Sequence, residues 1–389
     1  MKFKHSEALE RLPKQFFAEL VRKTVELKKS HDDVINLGQG NPDQPTPAHI
    51  IEQLKEASAN PLYHKYAPFS GYGFLKEAVA EYYKRECNVE IDPETEVAIL
   101  SGTKTGLVEV SQCLLNAGDT ALVPDPGYPD YWSGIALAGA HMQSMPLLKE
   151  NGFHPDFSIL SDHVLNQAKL MFLNYPNNPT GAVATPELFT RTVELAQKHE
   201  ICIVHDYAYG AIGFDGERPK SFLETPGAKD VGIEMMTLSK TYNMAGWRVG
   251  FAVGNSSVIE AINLIQDHYY CSLFGGVQEA AAHALTADQS CVHELVATYE
   301  SRRNVLVEEA ARIGWNVSAP AGSFFAWFPV PEGYTSEAFA DLLLYKARVV
   351  VAPGNGFGEY GEGFVRLGLL CEEDELRDAM SRIGDLHLF

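Results

Sequence analysis

Between about residue 50 and residue 285, helical patterns alternate with short β-rich runs. These are VAIL at 97–100, TALVPD at 120–125, KLMFLN at 169–174, ICIVHD at 201–206, MMTLS at 235–239 and VGFAV at 249–253. Runs this apolar have no polar face to give to water, so each predicts a strand covered on both sides. Strands separated by helices imply a mainly parallel sheet with helices on both faces, an α/β architecture. Thr185-Pro186-Glu187 supplies an N-cap, a first-turn proline and an acidic first turn for one of those helices.

The flanks read differently. Residues 5–30 predict a helix, and INLGQGNPDQPTP then packs glycine and proline into an extended lead-in. A long helix is expected from near Ser256. Residues 290–389 give helix (ELVATYESRRNVLVEEAARIG), strand (SFFAWFPV), helix, strands (ARVVVAP and GFVRLGLL) and a closing helix, an α+β pattern. The expected organisation is a large domain over 45–285 and a smaller, discontinuous one made of 1–44 and 286–389.

A net charge of −20 argues against nucleic acid or an anionic membrane as partner, because both are bound by basic surface. It leaves room for a small anion, which needs only a few cations in one pocket. Cys87, Cys113, Cys202, Cys271, Cys291 and Cys371 are scattered, with no CxxC and no tight cluster. Core thiols in a reducing compartment are expected, rather than a disulfide framework or a metal site. The N-terminus has no apolar signal core, and no run nears the roughly 18 apolar residues of a membrane span. A cytoplasmic protein is the expectation.

In an open parallel sheet, ligands sit beyond the carboxyl ends of the strands. Several polar clusters fall there. After VAIL comes SGTKTGL, a glycine turn opening a helix, where the backbone at Thr103 and Lys104 would meet an anion. After KLMFLN comes YPNNPTG, with Asn178 between a proline turn and a glycine; read alone it is an ordinary turn residue. After ICIVH comes Asp206, a carboxylate at a buried strand end that needs a cation or hydrogen bonds, and then Tyr209. PDPGYPDYW sets Tyr128 after a turn, able to stack on a flat ring. In TLSKTYNMAGWRVGF, Lys240 lies in a Ser/Thr-rich turn with Arg248 eight residues on. That spacing suits a Schiff-base lysine, with Thr237, Ser239 and Arg248 holding the phosphate of pyridoxal phosphate. Arg366, on a strand after a glycine-rich loop, is suited to a carboxylate, though alone it reads as an exposed strand arginine.

Taken in order, NLGQGNPD, HKYAPFSGY, SGTKTG, NYPNNPTG, HDYAY, TLSKTYNMAGWRVG and FVRLG resemble the fold-type I pyridoxal-phosphate aminotransferases (class I/II) of the aspartate aminotransferase type, over nearly the whole chain. The resemblance implies that Lys240 carries the cofactor covalently, that Asp206 pairs with its ring nitrogen, and that Tyr209 and Asn178 bond its ring oxygen. Tyr128 would stack on the ring. Thr103, Lys104, Thr237, Ser239 and Arg248 would hold the phosphate, and Arg366, with Gly40, Tyr128 and Asn178, would bind the substrate. One local departure is Thr103, where many relatives have a small residue, so only its backbone contact carries over. Tyr66 matches the tyrosine that family members extend to the neighbouring subunit's phosphate, which implies a homodimer with shared active sites.

Within that family the likeness is densest to the bacillus-type methionine-salvage aminotransferases, through GYPDYWSG, YPNNPTGAVAT, GSFFAWFPVPEGYTSE and GNGFGEYGEG. It implies synthesis of methionine from 4-methylthio-2-oxobutanoate. Aminotransferases for N-acetyl-diaminopimelate or for aromatic amino acids and glutamine remain alternatives, as does a β-eliminating C–S lyase on the same fold. A transcriptional regulator is disfavoured by the acidic charge. Phe69, Tyr72, Tyr131 and Phe274 are candidates to line an apolar side-chain pocket, and no arginine besides Arg366 and Arg248 is assigned to it.

Overall fold

The computed structural model describes residues 1–13, 16–269 and 272–389. Twelve strands occur among them, numbered along the chain. They are β1 (Ile35–Asn36), β2 (Val97–Leu100), β3 (Thr120–Asp125), β4 (His141–Pro146), β5 (Ala168–Asn174), β6 (Cys202–Asp206), β7 (Gly232–Thr237), β8 (Gly250–Gly254), β9 (Phe325–Pro329), β10 (Val349–Val350), β11 (Ala352–Pro353) and β12 (Phe364–Gly368).

Seven of them form one sheet in the order β2-β8-β7-β6-β5-β3-β4. Pairing is parallel from β4 to β7, while β8 runs antiparallel to both β2 and β7. All strands but β8 therefore point the same way. The carboxyl ends of β2, β3, β5, β6 and β7 share one edge of the sheet, and the chain enters β8 at that same edge. Two apolar clusters cover the two faces, one around Leu173, Ile203 and Phe251, the other around Leu170, Val204 and Ala252. This matches the α/β expectation, with two differences. The edge strand β4 is half-exposed and mixes polar with apolar residues, so it has no apolar run to announce it. The run expected to stay extended to Ser239 turns helical at Leu238, because the Thr237 hydroxyl accepts from the Ser239 N–H (3.2 Å) and caps the short helix Leu238–Thr241.

The helix expected from near Ser256 runs Ser256–Tyr269, and residues 290–384 carry the expected helix, Ser290–Arg312, the antiparallel sheet β11-β12-β9 and the closing helix Glu373–Gly384. The expected ARVVVAP strand is split into β10, which pairs with β1, and β11, which pairs with β12. The expected 5–30 helix is interrupted too. Glu7–Glu10 and Phe17–Lys28 are separate helices with Pro13 between them. The first leans on the large sheet's layer, where Arg11 Nε donates to Ala136 O at 2.9 Å. The second packs Leu20 and Leu27 against Val34, Leu344 and Val350, beside a Lys23–Asp341 ion pair of 2.8 Å. Among the described residues no helix is long and apolar enough to cross a membrane. Cys87, Cys113, Cys202, Cys291 and Cys371 are free thiols; Cys271 lies outside the described residues.

Beneath the sheet, fully buried Glu234 on β7 accepts from Tyr83 Oη (2.8 Å), Ser221 Oγ (2.7 Å), the Phe222 N–H (2.8 Å) and His205 Nδ1 (2.7 Å). One carboxylate thus ties a covering helix, a loop and β6 to β7. Glu234→Ala strands those donors in the core and is expected to cost about 3–5 kcal/mol. Urea denaturation checks this, and a loss below about 1 kcal/mol would mean the network relaxes without it.

Candidate active site

A cavity of about 530 Å³ opens at the shared carboxyl edge, and residues from the seven-stranded and three-stranded sheets line it. It brings together Gly40, Thr103, Lys104, Tyr128, Asn178, Asp206, Tyr209, Thr237, Ser239, Lys240, Arg248 and Arg366. These residues come from seven separate stretches of sequence. Tyr66, anticipated at the phosphate, is elsewhere: it is 95% exposed, in an open surface groove with Phe274.

One part of the cavity is an anion cradle. The helix Thr103–Leu114 starts there with its N–H groups and dipole facing outward from the strand end. Gly102 caps it at φ +81°, and a Cβ at that position would collide with the Arg248 guanidinium. The missing side chain is what lets Arg248 lie against the helix start. Arg248 itself is left-handed (φ 58°) and donates from Nη1 to Ala245 O at 2.9 Å, which leaves its other nitrogens available. Thr237 Oγ1 lies within hydrogen-bond distance of Ser239 Oγ (2.9 Å) and of Val249 O (3.2 Å), so its single proton is spent within the chain. The Lys104 ammonium turns to Asp130 at 3.0 Å and is more than half exposed. Its side chain is thereby committed to an ion pair, while its backbone stays in the first turn of the helix.

Asp206 ends β6 and is buried, yet it makes no ion pair among the described residues. Its Oδ2 accepts from Tyr131 Oη at 2.8 Å and its Oδ1 from the Ala208 N–H at 3.3 Å. Burial pushes its carboxyl pKa up, and the Tyr131 hydrogen bond pulls against that. Tyr131 was a candidate for the side-chain pocket; instead it is fully buried, stacked on Phe172 at 4.8 Å, with its hydroxyl turned to Asp206. Phe69, Tyr72 and Phe274 likewise do not line the cavity of the single chain.

Lys240 Nζ donates to Gly40 O at 3.0 Å and sits 5.2 Å from the centre of the Phe324 ring. Burial, then the nearby Arg366 and Arg248 charges, lower its pKa from the ordinary 10.5 to about 8. At that value the amine is partly neutral near physiological pH and available as a nucleophile or base.

Arg366 on β12 is sandwiched between Phe325 (3.9 Å) and Phe357 (4.7 Å). Its Nη1 donates to Asn178 Oδ1 (2.8 Å) and its Nη2 to Gly38 O (3.1 Å), while Nε is buried with no partner. Burial lowers its pKa to about 10, still charged at neutral pH. A buried guanidinium with an idle N–H calls for an acceptor. Asn178 is held by its own N–H on Asn174 Oδ1 (2.8 Å), and Asn174 Nδ2 donates to Asp206 O (2.7 Å). With Asn178 Oδ1 given to Arg366, its amide nitrogen is the group left to donate. The loop bearing Phe357 is clamped to the large sheet: Gly127 N–H donates to Phe357 O (2.8 Å), and Asp125 accepts from Glu359 and Tyr360 N–H (3.3 and 3.0 Å).

Sequence reading missed Phe325, Phe357, Trp132, Asp130 and the pair Phe16–Phe17, all of which line the cavity. Only Phe325 had a signal, its place in the aromatic run SFFAWF beside the arginine strand. Arg302 and Arg303 are away from the cavity, engaged with Asp43 and Asp215 at 2.8 and 2.7 Å. Among the described residues, Arg248 and Arg366 are the arginines that line it.

Comparison with known proteins adds four findings. A family model described as aminotransferase class I and II matches residues 32–383. The L-glutamine–4-(methylsulfanyl)-2-oxobutanoate aminotransferase of Bacillus subtilis is 65% identical over 389 residues, covering 100% of this chain and 98% of that protein. The LL-diaminopimelate aminotransferase of Moorella thermoacetica is 44% identical over 372 residues, 96% and 95% of the two chains. A substrate-bound structure of BacF from Bacillus subtilis matches with a TM-score of 0.95 at 49% identity, over 100% of this chain and 98% of that one.

Proposed function

This chain belongs to the class I and II aminotransferases, and from that premise we propose that it uses pyridoxal 5'-phosphate to aminate 4-methylthio-2-oxobutanoate, giving methionine. The observation that carries the reading is the buried Asp206, a carboxylate with no direct ion pair among the described residues, sharing one cavity with a lysine of lowered pKa. A protonated ring nitrogen is the partner such a carboxylate lacks. The Arg248 cradle suits a phosphate, and Lys240 suits an aldehyde, so the residues present fit this cofactor. When bound, pyridoxal phosphate supplies the electron sink that makes a substrate Cα–H acidic.

The chain's residues do the rest. The first turn at Thr103 and Lys104, with Ser239, Thr237 and Arg248, binds the phosphate. Asp206 keeps a proton on the ring nitrogen, Asn178 and Tyr209 bond the ring oxygen, and Tyr128 covers the ring face. Arg366 would clamp the substrate carboxylate, and Lys240 Nζ would act as the base that moves the α-proton. Residues 45–285 make up the cofactor-holding domain, and 1–44 with 286–389 the smaller one. A second copy of the chain completes the site through Tyr66: this tyrosine and Phe274 form an exposed aromatic groove of the kind a subunit covers. Free thiols at the five described cysteines favour the cytoplasm.

A side chain with a second carboxylate would need a further cation, and the lining arginines are already assigned. Uncharged thioether or aromatic 2-oxo acids are therefore expected to lead a substrate panel scored by kcat/KM. Oxaloacetate or 2-oxoglutarate ahead of 4-methylthio-2-oxobutanoate would overturn the substrate assignment. The lysine gives a pH test. Only neutral amine attacks an aldehyde, so the rate of pyridoxal phosphate loading onto apoprotein should climb with pH and level off above about 8. A rise continuing to the ordinary lysine value of 10.5 would contradict the lowered pKa.

A further inference from the structure

We infer that Tyr131 is a positioning residue for the cofactor ring, acting through its hydrogen bond to Asp206. The inference rests on the pyridoxal phosphate reading above. Three features of the structure carry it. The Tyr131 hydroxyl donates to Asp206 Oδ2 at 2.8 Å, the shorter of the two hydrogen bonds that this carboxylate accepts. Its ring has no freedom to turn away: it is fully buried, stacked on Phe172 at 4.8 Å and 12°, and met edge-on by Tyr128 at 5.7 Å. Asp206 makes no direct ion pair among the described residues, and the Tyr131 hydrogen bond is the largest influence favouring its ionised form, with the Ala208 N–H and the Lys240 charge adding to it.

The chemistry follows from which proton is fixed. Burial beside a carboxylate holds the Tyr131 phenol far above its ordinary pKa, so it stays protonated and can only donate. A permanent donor on Oδ2 keeps Asp206 charged and directs that oxygen. The carboxylate then has lone pairs left for a ring N–H, and it favours a ring that carries the proton. A tyrosine that served only to fill space would support any flat ring of the same size equally. Tyr131 instead should distinguish a ring nitrogen from a ring carbon.

The test titrates apoprotein with pyridoxal phosphate and with its 1-deaza analogue, in which carbon replaces the ring nitrogen. Tyr131→Phe keeps the stacking and removes only the hydroxyl. It is expected to weaken pyridoxal phosphate roughly 10- to 100-fold, the range for a hydrogen bond to a charged group, and to leave the analogue within about twofold of wild type. Equal losses for both ligands, or no loss for either, would overturn the inference. A second comparison uses Asp206→Asn as background, where no buried carboxylate is left unpaired if the single variant folds poorly. There Tyr131→Phe should have no further effect on pyridoxal phosphate affinity, because the two residues act as one unit. A further tenfold loss in that background would also overturn it. Failure of the wild-type protein to bind pyridoxal phosphate at all would instead remove the cofactor reading beneath it.

Discussion

Lys240→Ala is expected to lower transamination by at least about 10³-fold, since it removes both the amine that receives the cofactor and the base that moves the α-proton. The fold should survive the change. Lys240 spends one hydrogen bond, to Gly40 O, and pays for its burial with a pKa lowered to about 8. Relieving two arginines of a neighbouring charge costs the protein little. Steady-state assay with glutamine and 4-methylthio-2-oxobutanoate reads the activity, and thermal melting of the apoprotein reads the fold. Retention of a tenth of wild-type kcat would leave the proton transfer to some other group in the cavity.

Asp206→Asn is expected to cut kcat by about 10²–10³-fold, the loss typical of removing one preorganised charge from a reacting centre. The amide keeps the size of the carboxylate and still accepts from Tyr131 Oη, so stability should change little. What it cannot do is balance a protonated ring nitrogen. Single-turnover mixing with an amino acid isolates the α-proton step, and a rate near wild type there would take Asp206 out of the chemistry.

Both residues were legible in the sequence for a physical reason. A strand buried on both faces is mostly apolar, so the polar residues that gather where the run stops mark the rim of the sheet. Asp206 after ICIVH, Asn178 after KLMFLN, and the turn after VAIL are such markers, and parallel pairing gathers them at one edge. The helix start proposed to hold the phosphate was legible because glycine turns before a helix leave a recognisable string. Partners across the sheet leave none. Tyr131 lies in a helix where any aromatic would read as core, and its bond to Asp206 spans 75 residues of sequence. The Phe325–Arg366–Phe357 sandwich depends on the pairing of β9 with β12 and on the Asp125 clamp, neither of which has a local signal. Edge strand β4 was missed because half-exposed polar residues follow no apolar period. Lys104 shows how far a turn can be read from sequence. Its position in the turn was read correctly, but its side chain is held by Asp130.

The central claim is that Lys240 carries pyridoxal phosphate. Borohydride reduction of the protein loaded with that cofactor, followed by proteolysis and peptide mapping, tests it most directly. The account predicts one reduced pyridoxyl label per chain, on Lys240 within TLSKTYNMAGWR; a label on Lys104 or any other lysine, or no stable label, would contradict it.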